Sequence, residues 1–278
     1  MDVSNNACPT CGKIFTGKFC AACGEKQSSV HDFSVGHFVE ESVEGFTHFD
    51  NKFIRTIRQL LFKPGMLTLN FEQGRKIPFM KPMQLFIICN LLFFLLVGGA
   101  NIFAVQLSNY LATDGGHVFK TRSYFFEKFG TNADIKYLSE IFREKMISQS
   151  KMFIVLFIPF FSLTCILLFL RRRKPFGLHL AFATHFFSFL LLFFTLFHLL
   201  IELPNDKIFH FSSTAFNQFA TILNFSVLVI YFTLAARRFY KVRWIWSGLT
   251  GLAAGIIFII LLQAYRLFLF YNILRTLD

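Results

Sequence analysis

Leu178–Ile201 has the sequence LHLAFATHFFSFLLLFFTLFHLLI and contains no Asp, Glu, Lys or Arg. A helix needs about 20 apolar residues to cross about 30 Å of hydrocarbon, so this stretch predicts a membrane-spanning helix. Four further runs are similar in length and composition; they are Met83–Val105, Met152–Leu170, Gln218–Ala236 and Ser247–Tyr265. Backbone groups in lipid must find partners within their own segment, so these runs predict helices. The chain is therefore predicted to be an all-α polytopic membrane protein with about five transmembrane helices.

The composition and the placement of charge support this class. Hydrophobic residues make up 54% of the 278 residues and charged residues only 16%, whereas a soluble domain averages about 25% charged residues. The net charge of +12 would by itself suit nucleic acid. However, the basic clusters 171–174 and 237–243 each follow an apolar run directly, which is the pattern of cytoplasmic loops. The charge therefore indicates a lipid bilayer, and not nucleic acid, as the partner.

Two cysteine pairs with metal-ligand spacing open the chain: Cys8-Pro-Thr-Cys11 and Cys20-Ala-Ala-Cys23. Four thiolates at this spacing predict a structural, closed Zn²⁺ site in a small β-type ribbon. The glycine after each pair, Gly12 or Gly24, suits a left-handed turn. A redox role is the alternative, but no thioredoxin-like βαβ pattern surrounds the pairs.

The N-terminus is expected in the cytoplasm, because the first thirty residues lack the basic start and apolar stretch of a signal peptide. Five spans would then put the C-terminus outside. The chain divides into a zinc ribbon (1–28), amphipathic cytoplasmic interfacial helices (29–82) and a transmembrane helical domain (83–278). The last includes an extramembrane insert (106–151), whose apolar residues from Tyr137 to Met146 recur at helical spacing.

The interfacial part combines basic and apolar faces. Phe53, Ile54, Ile57, Leu60 and Leu61 are predicted on one helical face, opposite a basic face. The candidate membrane-interface residues are Lys52, Arg55, Arg58, Arg75 and Lys76. A preceding stretch, residues 35–49, repeats the amphipathic pattern with an acidic polar side, which favours packing on protein. Ordinary packing against the bundle is the alternative for both helices.

The first ninety or so residues resemble an uncharacterised bacterial membrane-protein family with an N-terminal zinc ribbon. That family continues with an aspartate-led helix, a Pro-Gly turn, a Gly-Arg element and a proline before the first span. The matching residues are Cys8, Cys11, Cys20, Cys23, Asp50, Thr56, Pro64, Gly65, Gly74, Arg75 and Pro82. The resemblance implies this architecture and a multi-pass location in the bacterial inner membrane; the family has no assigned activity.

Few polar groups fall within the predicted spans, and such groups are functional candidates by default. His185, His198 and Glu202 form a possible intramembrane polar site; His198 and Glu202 are four residues apart and can touch, whereas His185 lies on another face. The alternative is a neutral histidine hydrogen-bonded to a neighbouring helix.

A glycine stripe in the last predicted span indicates close helix packing. Gly248, Gly251 and Gly255 share one helical face, and the last two form a GxxxG motif. The stripe favours packing within one bundle, with homodimerisation as the alternative.

A closed metal site beside a bundle without a legible catalytic set favours a binding, scaffolding or regulatory protein whose ribbon recruits a protein partner. A small-solute transporter or channel is the second hypothesis, and a membrane-embedded lipid-modifying enzyme is the third. No catalytic residues are predicted.

Overall fold

The computed structural model describes residues 6–26, 50–97, 102–112, 121–209 and 213–277. The two described strands are β1 (Asn6–Ala7) and β2 (Ile14–Phe15), which pair antiparallel with Ala7 opposite Ile14. The described helices are α1 (Asp50–Phe62), α2 (Met66–Glu72), α3 (Pro82–Leu96), α4 (Leu107–Ala112), α5 (Thr121–Phe129), α6 (Ile135–Phe153), α7 (Phe157–Leu168), α8 (Phe176–Phe197), α9 (Ser213–Tyr240) and α10 (Trp244–Arg275). The acidic amphipathic stretch predicted at 35–49 lies outside the described residues.

Four of the described helical runs are long and apolar enough to cross a membrane. They are Ile135–Leu168, Phe176–Phe209, Thr214–Tyr240 and Trp244–Arg275. Their length and composition confirm the prediction of a mainly helical membrane protein.

The predicted first span, Met83–Val105, is corrected to a shorter helix. α3 begins at Pro82 and has 15 residues, which at a rise of 1.5 Å per residue is about 22 Å. That falls short of the roughly 30 Å of a bilayer core. Hydropathy alone predicted one continuous span because it does not register that the helix ends at Leu96.

The predicted helix in the insert and the predicted second span form one continuous helical run. α6 leads through a 3-10 turn at Ile154–Leu156 directly into α7. Asp134 caps the start of α6 by accepting a hydrogen bond from Tyr137 N at 3.1 Å. The helix thus passes residue 151, where the predicted insert ends, without a break.

The described residues form two compact units. Unit 1 comprises Met1–Leu92 and Ile158–Ile257, and unit 2 comprises Phe93–Phe157 and Phe258–Asp278. The three-part division predicted from the sequence is a different kind of partition and stays a prediction.

Helix α8 supplies a large part of the core of unit 1. Most of its side chains are buried, including small residues such as Ala181 and Ala183. Aromatic rings fill the space around it: Phe161 stacks on Phe186 with ring centroids 5.1 Å apart, and Phe232 meets Phe186 edge to face at 5.4 Å. Such pairs stabilise a core beyond the area that they bury.

Unit 2 has its own aromatic core and several polar ties to α10. Tyr110 stacks on Phe270 with centroids 4.6 Å apart. The Arg266 guanidinium donates to Ile102 O at 2.7 and 3.1 Å. Lys128 Nζ donates to Leu274 O at 2.7 Å near the end of α10, where a cation is favoured by the helix dipole.

Candidate functional site

Two cysteine turns of the same geometry form the ribbon. Gly12 N donates to Cys8 O at 2.8 Å, and Gly24 N donates to Cys20 O at 2.8 Å. The φ angles of Gly12 and Gly24 are 76° and 75°, in the left-handed region that favours glycine. The predicted left-handed glycine after each pair is therefore confirmed.

The four cysteine sulfurs of these turns lie together. Cys8 Sγ is 3.5 Å from Cys23 Sγ, and Cys11 Sγ is 3.6 Å from Cys20 Sγ. All four sulfurs lie within 4.8 Å of one another. A tetrahedral zinc ion with bonds of about 2.3 Å holds its sulfurs about 3.8 Å apart. The cluster therefore has the dimensions to bind a metal ion.

The thiols of the cluster differ in proton affinity. Burial is the largest influence on Cys8 and raises its pKa, but hydrogen bonds from the backbone of Cys11 and Thr10 and from neighbouring thiols lower that pKa to about 7. For Cys23, the backbone of Glu25 is the largest influence and lowers the pKa, yet burial and hydrogen bonds to the other thiols together raise it to about 12. Thiolates packed this closely repel one another, so complete deprotonation near neutral pH requires a central cation.

Outside the cluster, the ribbon has almost no core. Phe15 is the buried aromatic residue that packs with Cys8 and Cys20. By contrast, Ile14 is 68% exposed and Phe19 is 61% exposed. Successive side chains of a strand point to opposite faces, so Phe15 of β2 points inward and Ile14 points outward.

The ribbon is joined to the residues before α3 by a buried carboxylate that sequence reasoning missed. Glu25 is only 2% exposed. Its Oε2 accepts from Thr10 Oγ1 at 2.6 Å, from Lys76 N at 3.1 Å and from Ile77 N at 3.1 Å. A buried carboxylate is tolerated when hydrogen bonds replace its water. The signal available in the sequence was the position of Glu25 directly after Cys23-Gly24.

Helices α1 and α2 form a hairpin around the Pro64-Gly65 turn, and α9 holds this hairpin through backbone contacts. Tyr231 OH donates to Leu60 O at 2.8 Å, and Arg238 Nη1 donates to Pro64 O at 2.7 Å. Gly65 has a φ of 76°, and a Cβ there would lie 2.5 Å from Ala235 O. The turn therefore requires glycine both for its conformation and for its close approach to α9.

Thr56, one of the residues that carry the resemblance, ties α1 to the segment before α3. It is buried, donates to Lys52 O at 2.6 Å and accepts from Met80 N at 3.0 Å. At the end of α2, Glu72 forms an ion pair with Lys174. Both contacts help to dock the hairpin, and Thr56 is the residue in them that also carries the resemblance.

The predicted interface residues do not lie on a purely basic surface. Lys52, Arg55, Arg58 and Arg75 are exposed, whereas Lys76 Nζ sits 4.7 Å from the ring centroid of Phe71. Ile54, predicted on the apolar face, is 69% exposed beside these cations. The exposed side of α1 is thus mixed apolar and basic, a pattern typical of interfacial helices.

The candidate polar residues of α8 and the turn after it have separate partners. His185 is buried and its Nδ1 lies 2.9 Å from Thr68 Oγ1. His198 Nδ1 lies 2.8 Å from Glu202 Oε2, within a π-helical turn. The structure therefore brings His198 and Glu202 together and gives His185 a contact with α2.

Two of the three stripe glycines contact α9. A Cβ on Gly251 would lie 2.1 Å from Thr233 Oγ1, and a Cβ on Gly255 would lie 2.9 Å from atoms of Phe225 and Val229. A Cβ on Gly248 would meet nothing within 4 Å. Gly251 and Gly255 are thus used for packing α10 on α9 inside the chain.

The chain is similar to one protein family over the α1–α2 hairpin and the segment that follows it. The family is described as "Protein of unknown function (DUF3667)", and its profile matches residues 50–94. The match covers α1, α2 and most of α3, and it agrees with the resemblance to an uncharacterised family over this stretch. No curated protein and no solved structure matches the chain.

Proposed function

We propose that this protein is a bacterial inner-membrane binding protein, in which a structural Zn²⁺ ribbon in the cytoplasm recruits an acidic protein partner. Zn²⁺ fits the set of four thiolates and the distances between them. A closed set of protein ligands suits a structural metal, which would supply folding energy to the ribbon. With four spanning runs, the C-terminus would lie on the same side as the N-terminus, and not outside as five spans predicted.

The observation that carries the proposal is the exposed apolar pair on an anchored ribbon. Ile14 and Phe19 remain exposed although Glu25 fixes the ribbon to the segment before α3. Exposed Lys13 and Lys18 flank them. Apolar contact area bordered by cations suits a partner surface with apolar anchors and acidic neighbours.

The test is site-specific photo-crosslinking in native membranes, with the crosslinking group at exposed Thr16. The Ile14→Ser/Phe19→Ser variant should lose a crosslink to an acidic protein segment, while Ile54→Ser, which changes an equally exposed apolar residue outside the ribbon, should keep it. Metal content of each purified variant checks that the ribbon still folds. Crosslinks to lipid alone, or an unchanged protein crosslink in the double variant, would contradict the proposal.

The two alternative functions receive less support. A pore would need a polar path, whereas stacked rings such as Phe161 and Phe186 fill the core around α8. A lipid-modifying enzyme would need a nucleophile beside its base. His198 Nδ1 lies 2.8 Å from Glu202 Oε2, so this hydrogen bond of the imidazole goes to a carboxylate and not to a hydroxyl or thiol nucleophile.

A further inference from the structure

Two basic turns lie side by side in unit 1. They follow α7 and α9 and consist of residues 171–174 and 241–243. Phe169, just before the first turn, stacks on Tyr240 with ring centroids 3.8 Å apart. Lys174 Nζ, at the end of that turn, lies 4.5 Å from the centroid of the Phe239 ring. Contacts on both sides of the first turn therefore hold it against the end of α9, where the second turn begins.

Most cations of these turns point away from the protein. Arg238 and Lys174 are engaged in protein contacts, since Arg238 Nη1 donates to Pro64 O at 2.7 Å and Lys174 pairs with Glu72. Six further cations in and beside the turns are exposed; they are Arg171, Arg172, Arg173, Arg237, Lys241 and Arg243. Together they form one strongly positive surface.

Acidic groups do not balance this surface. Residues 152–201 and 211–277 contain no Asp or Glu, so helices α7 to α10 bring no carboxylate to it. The α1–α2 hairpin contributes Glu72, which is paired with Lys174. Four thiolates around the proposed Zn²⁺ would carry a net charge of about −2. The six exposed cations outnumber that charge and Glu72 together.

Each basic turn also holds a cation in the left-handed region of φ. The φ angles of Arg173 and Lys241 are 46° and 51°. Among the residues that the structure describes, the other positions with positive φ are glycines. A side chain in this region costs conformational free energy that glycine does not. Such outliers in two adjacent turns indicate a role for the side chains themselves.

The start of α10 adds an exposed apolar surface beside these cations. Trp244, Ile245 and Trp246 are 56%, 77% and 62% exposed. The Arg237 guanidinium carbon lies 4.6 Å from the ring centroid of Trp244, which joins the aromatic and the basic surface. These residues begin the apolar run Trp244–Arg275, and tryptophan at the end of a span is typical of the headgroup level of a bilayer. In a membrane, the basic turns would lie at that level.

We propose that the two basic turns bind the headgroup phosphate of an anionic phospholipid, with Trp244 and Trp246 against the adjoining lipid. Guanidinium groups suit phosphate because they can donate two parallel hydrogen bonds to its oxygens. Nucleic acid or a soluble phosphate ester would leave the apolar surface of Ile245 uncovered, which favours a lipid. Orientation by basic loops requires charge alone, whereas this surface predicts selectivity among lipids.

The experiment uses the fluorescence of the full chain, because Trp244 and Trp246 are its two tryptophans. The protein is reconstituted into phosphatidylcholine vesicles that contain a small fraction of one brominated lipid, either phosphatidylglycerol or phosphatidylcholine. Bromine quenches tryptophan at close range, so the two titrations compare the affinities of this surface for the two lipids. We expect a preference of about fivefold or more for phosphatidylglycerol. Added salt should weaken this preference, since it screens exposed charges.

The first variant, Arg173→Gly/Lys241→Gly, removes two charges and relieves both left-handed conformations. Its unfolding midpoint should be unchanged or higher, while its preference for phosphatidylglycerol should fall by about fivefold or more. The matched control, Lys136→Gln/Arg143→Gln, removes one lysine and one arginine from exposed positions on α6. The control should lower the preference by less than about twofold.

A second variant, Arg171→Gln/Arg243→Gln, removes one cation from each turn and leaves the two left-handed residues in place. It should also lower the preference, so the test does not depend on the backbone of the turns. Equal quenching by the two brominated lipids in the wild-type protein would overturn the proposal, as would equal losses in the control and in both turn variants. All variants keep Ile14 and Phe19, so failure here is distinct from failure of partner recruitment.

Discussion

At the scale of single residues, Glu25 links the cysteine cluster to the segment that precedes α3. Its backbone O accepts from Cys20 N at 2.9 Å, while its side chain accepts from the backbone before α3. One residue thus belongs both to the second cysteine turn and to the joint between the ribbon and the segment before α3. Because the carboxylate is buried, its loss would leave the amides of Lys76 and Ile77 without this acceptor.

Glu25→Ala should weaken the docking of the ribbon by about 2–4 kcal/mol, because two charge-assisted bonds to backbone amides are lost. Hydrogen exchange should become more than about tenfold faster at Lys76 and Ile77. Glu144→Ala, which removes an exposed carboxylate, is the control and should leave these two amides unchanged. Unaltered exchange at Lys76 and Ile77 in the Glu25 variant would show that the contact does not hold the ribbon.

A second residue-scale prediction concerns Gly65. An Ala side chain there meets both a positive φ of 76° and the backbone oxygen of Ala235 at 2.5 Å. Gly130 has a similar φ of 78° with nothing within 4 Å, so Gly130→Ala measures the conformational cost alone, about 1–2 kcal/mol.

Gly65→Ala should therefore lower the free energy of unfolding by about 1–3 kcal/mol more than Gly130→Ala does. The extra loss comes from the clash of the new methyl group with the backbone of α9, which adds to the conformational strain. Thermal unfolding of the two variants in the same detergent measures the difference. Equal unfolding midpoints would mean that the turn can move away from α9 without cost.

At the scale of elements, the packing of α10 on α9 depends on which glycines face the neighbour. Gly251 and Gly255 meet α9, whereas Gly248 shares their stripe but has open space beside it. Small residues let two helix backbones approach closely in lipid, where packing replaces the hydrophobic driving force. The part of the stripe formed by Gly251 and Gly255 is therefore covered by α9, and the part formed by Gly248 is uncovered.

Gly251→Ala should destabilise the protein by about 1–3 kcal/mol, because the new methyl group must displace Thr233. Gly248→Ala should be neutral or stabilising by up to about 1 kcal/mol, since alanine favours the helix and meets no atom. Heat denaturation of both variants, followed by circular dichroism, tests the pair. A loss of stability in Gly248→Ala comparable with that in Gly251→Ala would instead point to a partner on the open part of the stripe.

At the scale of the whole molecule, the ribbon and the apolar helices differ in how much core they bury. The ribbon buries few side chains apart from Phe15 and its cysteines. The helices, by contrast, pack around aromatic rings such as the stack of Phe161 and Phe186. Small domains with so little core depend on their metal to fold.

Removal of the proposed Zn²⁺ by a strong chelator should therefore unfold residues 6–26 and leave the apolar helices intact. Hydrogen exchange should rise throughout the ribbon and at Lys76 and Ile77, while helical circular dichroism should change little. In Glu25→Ala with metal bound, only the two amides should respond, which separates undocking from unfolding. A ribbon that stays protected after complete metal removal would refute metal-dependent folding.

The sequence by itself determined the class of the protein and its thiol set. Long uncharged runs specify helices in lipid whatever their partners are. The spacing within each CxxC pair, followed by glycine, is local and fixes a turn that gathers two sulfurs. Both kinds of information lie within a few consecutive residues, which is why the mainly helical class and the cluster of Cys8, Cys11, Cys20 and Cys23 were predictable.

The tertiary structure alone decided the contacts between distant segments and the length of α3. Glu25 meets Lys76 and Ile77 across about fifty residues of chain, and no local pattern identifies which buried carboxylate finds which amides. Likewise, His185 contacts Thr68 because α2 packs against α8, and the sequence of neither helix specifies this pairing. Hydropathy averages over a window and therefore extended the first span past Leu96. Such features arise from long-range packing, whose partners sequence periodicity does not specify.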